Sequence, residues 1–154
     1  MAKHIRYSIF VSILASLSFA FILLLRAMPV DSGERNKKIA GRCERVVDGD
    51  SLYIAGHKAQ VRLWGVDAPE RGERGYLLAK DTLSALAKGN KLHCTIKDID
   101  KYQRAVARCF VQKSDNAQLE LNRALLEAGV AREYCWFSKG FYGFCGGEKG
   151  ASKK

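Results

Sequence analysis

The chain has 154 residues, so one principal domain is expected, and 47% hydrophobic residues suffice for a core. Two prolines and 14 glycines leave little room for long structureless linkers. A formal charge of +10 disfavours cationic partners and points to polyanions, nucleic acid or an acidic polysaccharide. The first 30 residues contribute only Lys3, Arg6 and Arg26, so residues 31–154 hold 23 basic and 16 acidic side chains, a net +7. A solvated basic surface with a basic tail is the plainer account of the same excess.

Ser8 to Leu25 is an uncharged, mostly apolar run of 18 residues behind Lys3, His4 and Arg6. Such a run is an export signal or a membrane anchor, and 18 residues reach the lower limit for spanning a bilayer. No good small-x-small site follows Leu25, and the candidate Ser18-Phe19-Ala20 lies inside the run, which favours a retained anchor over a cleaved signal. Residues 1–30 are therefore read as signal peptide or anchor, and the polar residues 31–40 as a linker. The domain occupies residues 41–145 and a basic tail 146–154. Its expected location is periplasmic, secreted or membrane-anchored outside the cytoplasm. The five cysteines fit an oxidising compartment, and without a Cys-x-x-Cys pair they form no zinc pattern.

Gly41 to Val47 reads as the first strand, and Asp48-Gly49 as a hairpin turn, since glycine accepts positive φ without strain. Ser51 to Ile54 returns, Ala55 to Lys58 turns, and Ala59 to Val66 is the third strand of a meander. Pro69 ends it, because proline cannot donate to a ladder. Tyr76 to Lys88 is a helix with Leu78, Thr82, Ala85 and Leu86 at core spacing, broadened by Leu77 and Leu83, and stopped by Gly89. Lys91 to Lys97 and Arg104 to Val111 alternate as strands around a turn at Asp98 to Gln103. A hairpin there would set Cys94 beside Cys109 as a disulfide pair, with Cys135 and Cys145 as a second pair and Cys43 free. Asn116 to Ala128 reads as a helical region, with Asn122 as cap, Leu121, Leu125 and Leu126 facing the core and Gly129 as stop. Six aromatics between Tyr134 and Phe144 pack across the domain or form a ligand surface, and packing is favoured. There are no internal repeats. The expected fold is α+β: a five-stranded barrel of OB type with two to three helices, preceded by the hydrophobic segment.

The chemistry concentrates between Val46 and Glu70. Asp48, Asp50, Asp67 and Glu70 flank an arginine, Arg62, placed inside an apolar strand. Crowded carboxylates need a cation to offset their repulsion, and hard oxygen donors on turns suit Ca²⁺ or Mg²⁺. Read singly, Asp48 and Asp50 are ordinary turn residues, Glu70 a surface glutamate, and Arg62 half of a strand-edge ion pair. Together with Asp100-Lys101-Tyr102-Gln103-Arg104 and Leu121 to Ala131, this stretch resembles the staphylococcal nuclease (thermonuclease) family over roughly residues 41–134. The resemblance implies a Ca²⁺-dependent phosphodiesterase acting on single-stranded DNA and RNA. It implies Asp50, Asp67 and the backbone carbonyl of Ala68 as metal ligands, supported by Asp48. It further implies Glu70 as general base, Arg62 and Arg104 as phosphate-binding catalytic arginines, and Tyr102 as a substrate contact; Tyr134 is a candidate for a second aromatic contact.

Two departures stand out. Ala68 replaces a threonine that contributes its backbone carbonyl, so the ligand survives. Gln103 replaces a glycine before Arg104; if that turn requires positive φ, glutamine strains it and can misplace the arginine. The loop from Glu70 to the helix is also short, which bears on substrate choice. His57 and His93 match no catalytic position and read as surface residues. The expected molecule is a monomer that meets nucleic acid, and the membrane through its first segment. The rivals are a binding module without catalysis and an envelope protein serving acidic exopolysaccharide biosynthesis.

Overall fold

Residues 37–113 and 117–146 are described by the computed structural model. The anchor at 1–30, most of the linker, Asn116 and all of the basic tail beyond Gly146 lie outside the described residues. Among the described residues, no helix is long and apolar enough to cross a membrane.

Apolar alternation builds a mostly antiparallel six-stranded sheet. Its strands are β1 (Lys38–Val46), β2 (Ser51–Ile54), β3 (Val61–Leu63), β5 (Lys91–Ile99), β6 (Ala105–Gln112) and β7 (Gln118–Glu120), in the order β3-β2-β1-β5-β6-β7. The meander of the first three strands is present as expected. A parallel pairing of β3 with β6 sets Arg62 opposite Val106, while its antiparallel pairing with β2 sets Arg62 opposite Ser51. β3 is thus held on both sides, and Val61 and Leu63 point into the core while Arg62 points away from it. The single strand expected over 59–66 is broken at Trp64-Gly65, where Gly65 at φ 71 turns the chain. Beyond that turn β4 (Val66–Asp67) leaves the main sheet and pairs with β8 (Arg132–Glu133).

Helix α1 (Tyr76–Ala87) buries Ala79, Leu83 and Ala87, while Leu77 and Leu78 are exposed. The expected stripe through Leu78 and Ala85 is therefore wrong by about one residue. The reason is close packing: the helix lies so near the β1–β2 loop that small side chains must face it. A Cβ on Gly49 would fall 2.6 Å from the Ala68 Cβ and 2.7 Å from the Ala79 Cβ. Gly49 is absent from the positive-φ glycines, so it is required for that approach and not for turn geometry.

The helical region expected over 116–128, with the helix proper from near Asn122, is a strand followed by a helix that starts at Leu121. β7 pairs Glu120 with Phe110, and α2 (Leu121–Glu127) begins after it. Asn122 does not cap this helix. Its side chain is fully buried, accepts a hydrogen bond from the Cys109 amide at 3.0 Å, and donates to the Trp64 and Ala107 carbonyls at 2.9 and 3.2 Å. A short α3 (Cys135–Ser138) follows β8.

Cys94 and Cys109 face each other across β5 and β6 and are bonded, Cys135 is bonded to Cys145, and Cys43 is free and buried. The aromatic tail packs only in part: Trp64 meets Phe137, Phe141 and Tyr142 at ring centroids 6.2, 5.3 and 5.9 Å apart, and of the tail's aromatics Tyr142 alone is buried. Buried Glu133 organises this segment, accepting from Ser138 Oγ at 2.5 Å, the Tyr142 amide at 3.0 Å and the Phe144 amide at 2.8 Å. Burial disfavours its charge, but those three donors and Arg123 outweigh it and hold the carboxyl below its ordinary pKa.

Candidate active site

Three stretches far apart in sequence meet because β3 lies between β2 and β6. The β1–β2 loop delivers Asp50 beside the start of β2, β3 carries Arg62, and the β5–β6 turn delivers Arg104 beside the start of β6. Asp50 is almost fully buried. Its Oδ2 accepts the Ala68 amide at 2.9 Å, its Oδ1 accepts Ser51 Oγ at 3.1 Å, and its own amide donates to Asp48 Oδ1 at 3.2 Å. The carboxylate is thereby oriented, with lone pairs to spare on both oxygens.

The Arg62 guanidinium lies between the expected metal ligands. Its Nη1 forms an ion pair with Asp50 Oδ2, and its Nη2 stands 3.8 Å from Asp67 Oδ1. Nη1 is buried and has no aligned hydrogen-bond acceptor, so the contact with Asp50 is charge pairing. Burial, followed by repulsion from Arg104, pulls the Arg62 pKa down, while Asp48, Asp67 and Glu70 push it up. Five of the residues singled out from sequence therefore act electrostatically on the same point.

Arg104 is held differently. Asp100 Oδ2 accepts its Nε at 2.7 Å, and Asp100 Oδ1 accepts both the Arg104 and Tyr102 amides at 2.9 Å. Burial works against the Asp100 charge, but hydrogen bonds from the Arg104 amide, the Arg104 side chain and the Tyr102 amide leave its carboxyl below the ordinary range. Asp100 engages the guanidinium only through Nε, and Arg104 lines a cavity. Gln103 within this turn sits at φ 63, the left-handed conformation in which glycine is normally found.

A cavity of about 210 Å³ is lined by Arg62, Asp100 and Arg104 together with Tyr134 and Phe137. Asp50, Asp67, Ala68, Glu70 and Tyr102 do not line it. Asp67 borders a neighbouring groove of about 530 Å³ with Arg74 and Arg132, and Glu70 is exposed on the loop before α1. Tyr102 is exposed, with its ring 5.4 Å from the Arg104 guanidinium carbon. His57 lies near the Ala40 carbonyl, away from the site. The sequence attaches no role to Asp100 or Glu133, and reads Asn122 only as a helix cap and Phe137 only as part of the aromatic stretch. Asp100 alone carried a signal, an acid four residues before an arginine across a turn.

A family model described as staphylococcal nuclease homologue matches residues 60–142. The chain belongs to the staphylococcal nuclease family. Within the matched span of this family lie Arg62, Asp67, Glu70 and Arg104, whereas Asp48 and Asp50 precede it. Among family-like relatives, an uncharacterized endonuclease of Haemophilus influenzae is 30% identical, over 77% of this chain and 64% of its own length. The micrococcal nuclease of Shigella flexneri is 27% identical, over 64% of this chain and 60% of its own. A succinoglycan biosynthesis protein, ExoI, of Rhizobium meliloti is 35% identical, over 63% of this chain and 53% of its own. The chain thus spans about half to two thirds of the length of the curated relatives it matches. Two of these relatives are named as nucleases, in keeping with the family's description.

Proposed function

We propose that the domain is a Ca²⁺-dependent phosphodiesterase that cleaves single-stranded DNA and RNA outside the cytoplasm. The observation that carries this reading is the convergence of Arg62, from strand β3, and Arg104, from the β5–β6 turn, on one cavity. Two guanidiniums there can each meet non-bridging phosphate oxygens and stabilise the charge that grows on them in the transition state. The ring of pairings through β1, β2, β3, β5 and β6 supports the OB-type barrel reading, a fold that binds oligonucleotides across one face.

The donor set fits a hard divalent cation. Asp50 and Asp67 flank one guanidinium, and the Ala68 carbonyl is adjacent in sequence to Asp67. Those three groups would hold Ca²⁺, with Asp48 orienting the Asp50 amide. When bound, the ion supplies Lewis-acid polarisation of a phosphoryl oxygen. Glu70, exposed and free to reach the solvent side, takes the proton from the attacking water. The hydroxyl oxygen then bonds to phosphorus as the phosphorus–oxygen bond to the leaving strand breaks, and the departing oxygen takes a proton from solvent. Arg104, fixed by Asp100, stands on the leaving-group side.

The test uses the full chain on a single-stranded oligonucleotide with calcium or with a chelator. Expected is cleavage that stops on chelation and falls at least 100-fold in Arg62→Ala or Arg104→Ala. Calcium is also expected to raise the unfolding temperature of the wild type, and not of Asp50→Ala. A folded wild type that binds calcium yet never cleaves would sink the catalytic reading. It would favour a second reading, a non-catalytic envelope component in acidic exopolysaccharide biosynthesis. The ExoI relative motivates that reading. A deletion strain with a polysaccharide defect that another secreted nuclease does not rescue would support it.

A further inference from the structure

We propose that Arg74 and Arg132 form a second phosphate subsite, which seats a backbone phosphate of the bound strand beyond the linkage held by Arg62 and Arg104. The inference rests on the phosphodiesterase reading above and names what that site recognises beyond the scissile phosphate. Both arginines line the groove of about 530 Å³ that Asp67 borders. Arg74 comes from the loop before α1 and Arg132 from β8, so two segments far apart in sequence bring one cation each to the same concavity. Both are exposed, and neither side chain forms an ion pair among the described residues.

The two acids on this groove do not answer those cations. Asp67 is the register partner of Arg132 across β4 and β8, and directly opposed residues stand close enough to pair. Its carboxylate is instead 3.8 Å from Arg62 Nη2. Glu73 Oε2 accepts the Glu70 amide at 2.9 Å. Two guanidinium forks are therefore left for an outside acceptor, and phosphate oxygens match that fork. Half-buried Pro69 and Val130 line the same groove, and apolar walls strengthen the attraction between opposite charges. The groove also continues the candidate active site. Val66 lines the smaller cavity and Asp67, the next residue, lines the groove; on the facing strand side, Tyr134 lines the cavity and Arg132 the groove. A strand that follows β4 and β8 thus passes from one pair of arginines to the other. About 530 Å³ lies within the roughly 300–1,000 Å³ of ligand-enclosing sites, room for a phosphate with its sugar. Exposed arginines alone are ordinary surface; these two differ by meeting in one concavity that shares Asp67 with the expected metal ligands.

The experiment compares a short single-stranded oligonucleotide with a dinucleotide that carries a single phosphate. Equilibrium binding with calcium withheld, and KM and kcat with calcium, are measured for the full chain. Arg74→Ala and Arg132→Ala should each weaken oligonucleotide binding and raise its KM about 5-fold, with kcat within about 2-fold, and the double variant should reduce the log–log salt slope by about 0.7. Arg74→Lys and Arg132→Lys should keep the wild-type slope. Values for the dinucleotide should stay within about 2-fold in every groove variant, because one phosphate fills only the first subsite. Arg71→Ala removes the same charge from the same exposed loop but outside the groove, and should leave oligonucleotide binding unchanged. Equal losses in Arg71→Ala, or on the dinucleotide, would reduce the effect to net charge and overturn the inference. Unchanged binding in both groove variants would overturn it too. If the wild type binds the oligonucleotide but cleaves nothing, the phosphodiesterase reading fails, and the binding comparison still decides the subsite. Groove variants that weaken binding of an acidic oligosaccharide alone would overturn the inference in favour of a sugar-acid ligand.

Discussion

Gln103 at φ 63 and Asp100 beside it form one device. A non-glycine residue in the left-handed region costs about 1–2 kcal/mol, and glycine would recover that while losing about 0.5–1 kcal/mol to its freer unfolded state. Gln103→Gly is therefore expected to stabilise the domain by about 0.5 kcal/mol in urea unfolding, with activity retained. The turn does not rely on Gln103, because Asp100 fastens it through two amides and the Arg104 Nε. Asp100→Asn should accordingly lower kcat about 10-fold or more, by loosening the aim of Arg104, and leave KM little changed. The Asp100 carboxyl lies below its ordinary value when folded. Its stabilising contribution is complete above the unfolded pKa of about 3.9 and is lost as pH falls through the lower folded value. The wild type should therefore lose more stability than Asp100→Asn between about pH 4 and 2.

At the scale of elements, Asn122 joins three pieces of the fold. From the start of α2 it reaches the Cys109 amide and the Ala107 carbonyl on β6, and the Trp64 carbonyl just after β3. It thereby fixes the break between β3 and β4, which separates Arg62 from Asp67 and lets each face the site. Asn122→Ala leaves the buried Cys109 amide without this acceptor, while the Ala107 and Trp64 carbonyls keep the Trp64 amide and the Tyr142 hydroxyl, and an unsatisfied buried group costs about 1–3 kcal/mol. A loss of about 3 kcal/mol is expected in thermal or denaturant unfolding, together with weakened calcium binding as β4 shifts. Unchanged stability would show that water replaces the side chain. Gly49 acts in the same way through absence: without a Cβ, the loop bearing Asp50 nests against Ala68 and Ala79.

Over the whole molecule, the net charge of +10 sets how the protein meets a polyanion. Each phosphate neutralised by lysine or arginine releases condensed counterions, so binding weakens linearly in log–log form with a slope near −0.7 per contact on single strands. If Arg62, Arg104 and one further cation each meet a phosphate, the affinity slope should be about −2, and Arg104→Ala should reduce it by about 0.7. Titration of strand binding between low and physiological salt reads this directly. A salt-independent affinity would mean that the charge excess is plain surface.

Composition and order along the chain were enough to settle the elements whose apolar alternation is long, such as β5 and β6, and to place Cys94 opposite Cys109. They also marked Arg62, Asp50 and Asp67 as unusual, because a charge in an apolar strand and crowded carboxylates at turns are local facts, whereas Arg104 came only with the family resemblance. What they did not settle depended on neighbours distant in sequence. The face of α1 was misread because the closeness of Gly49 and Ala68, not the spacing of leucines, decides which side chains fit beneath it. Asn122 read as a cap because its three partners lie 13 to 58 residues away. Phe137 read as packing because only the tertiary structure sets its ring beside two arginines. Local pattern records what each segment prefers; burial and hydrogen-bond satisfaction, which belong to the folded whole, decide which preferences are honoured.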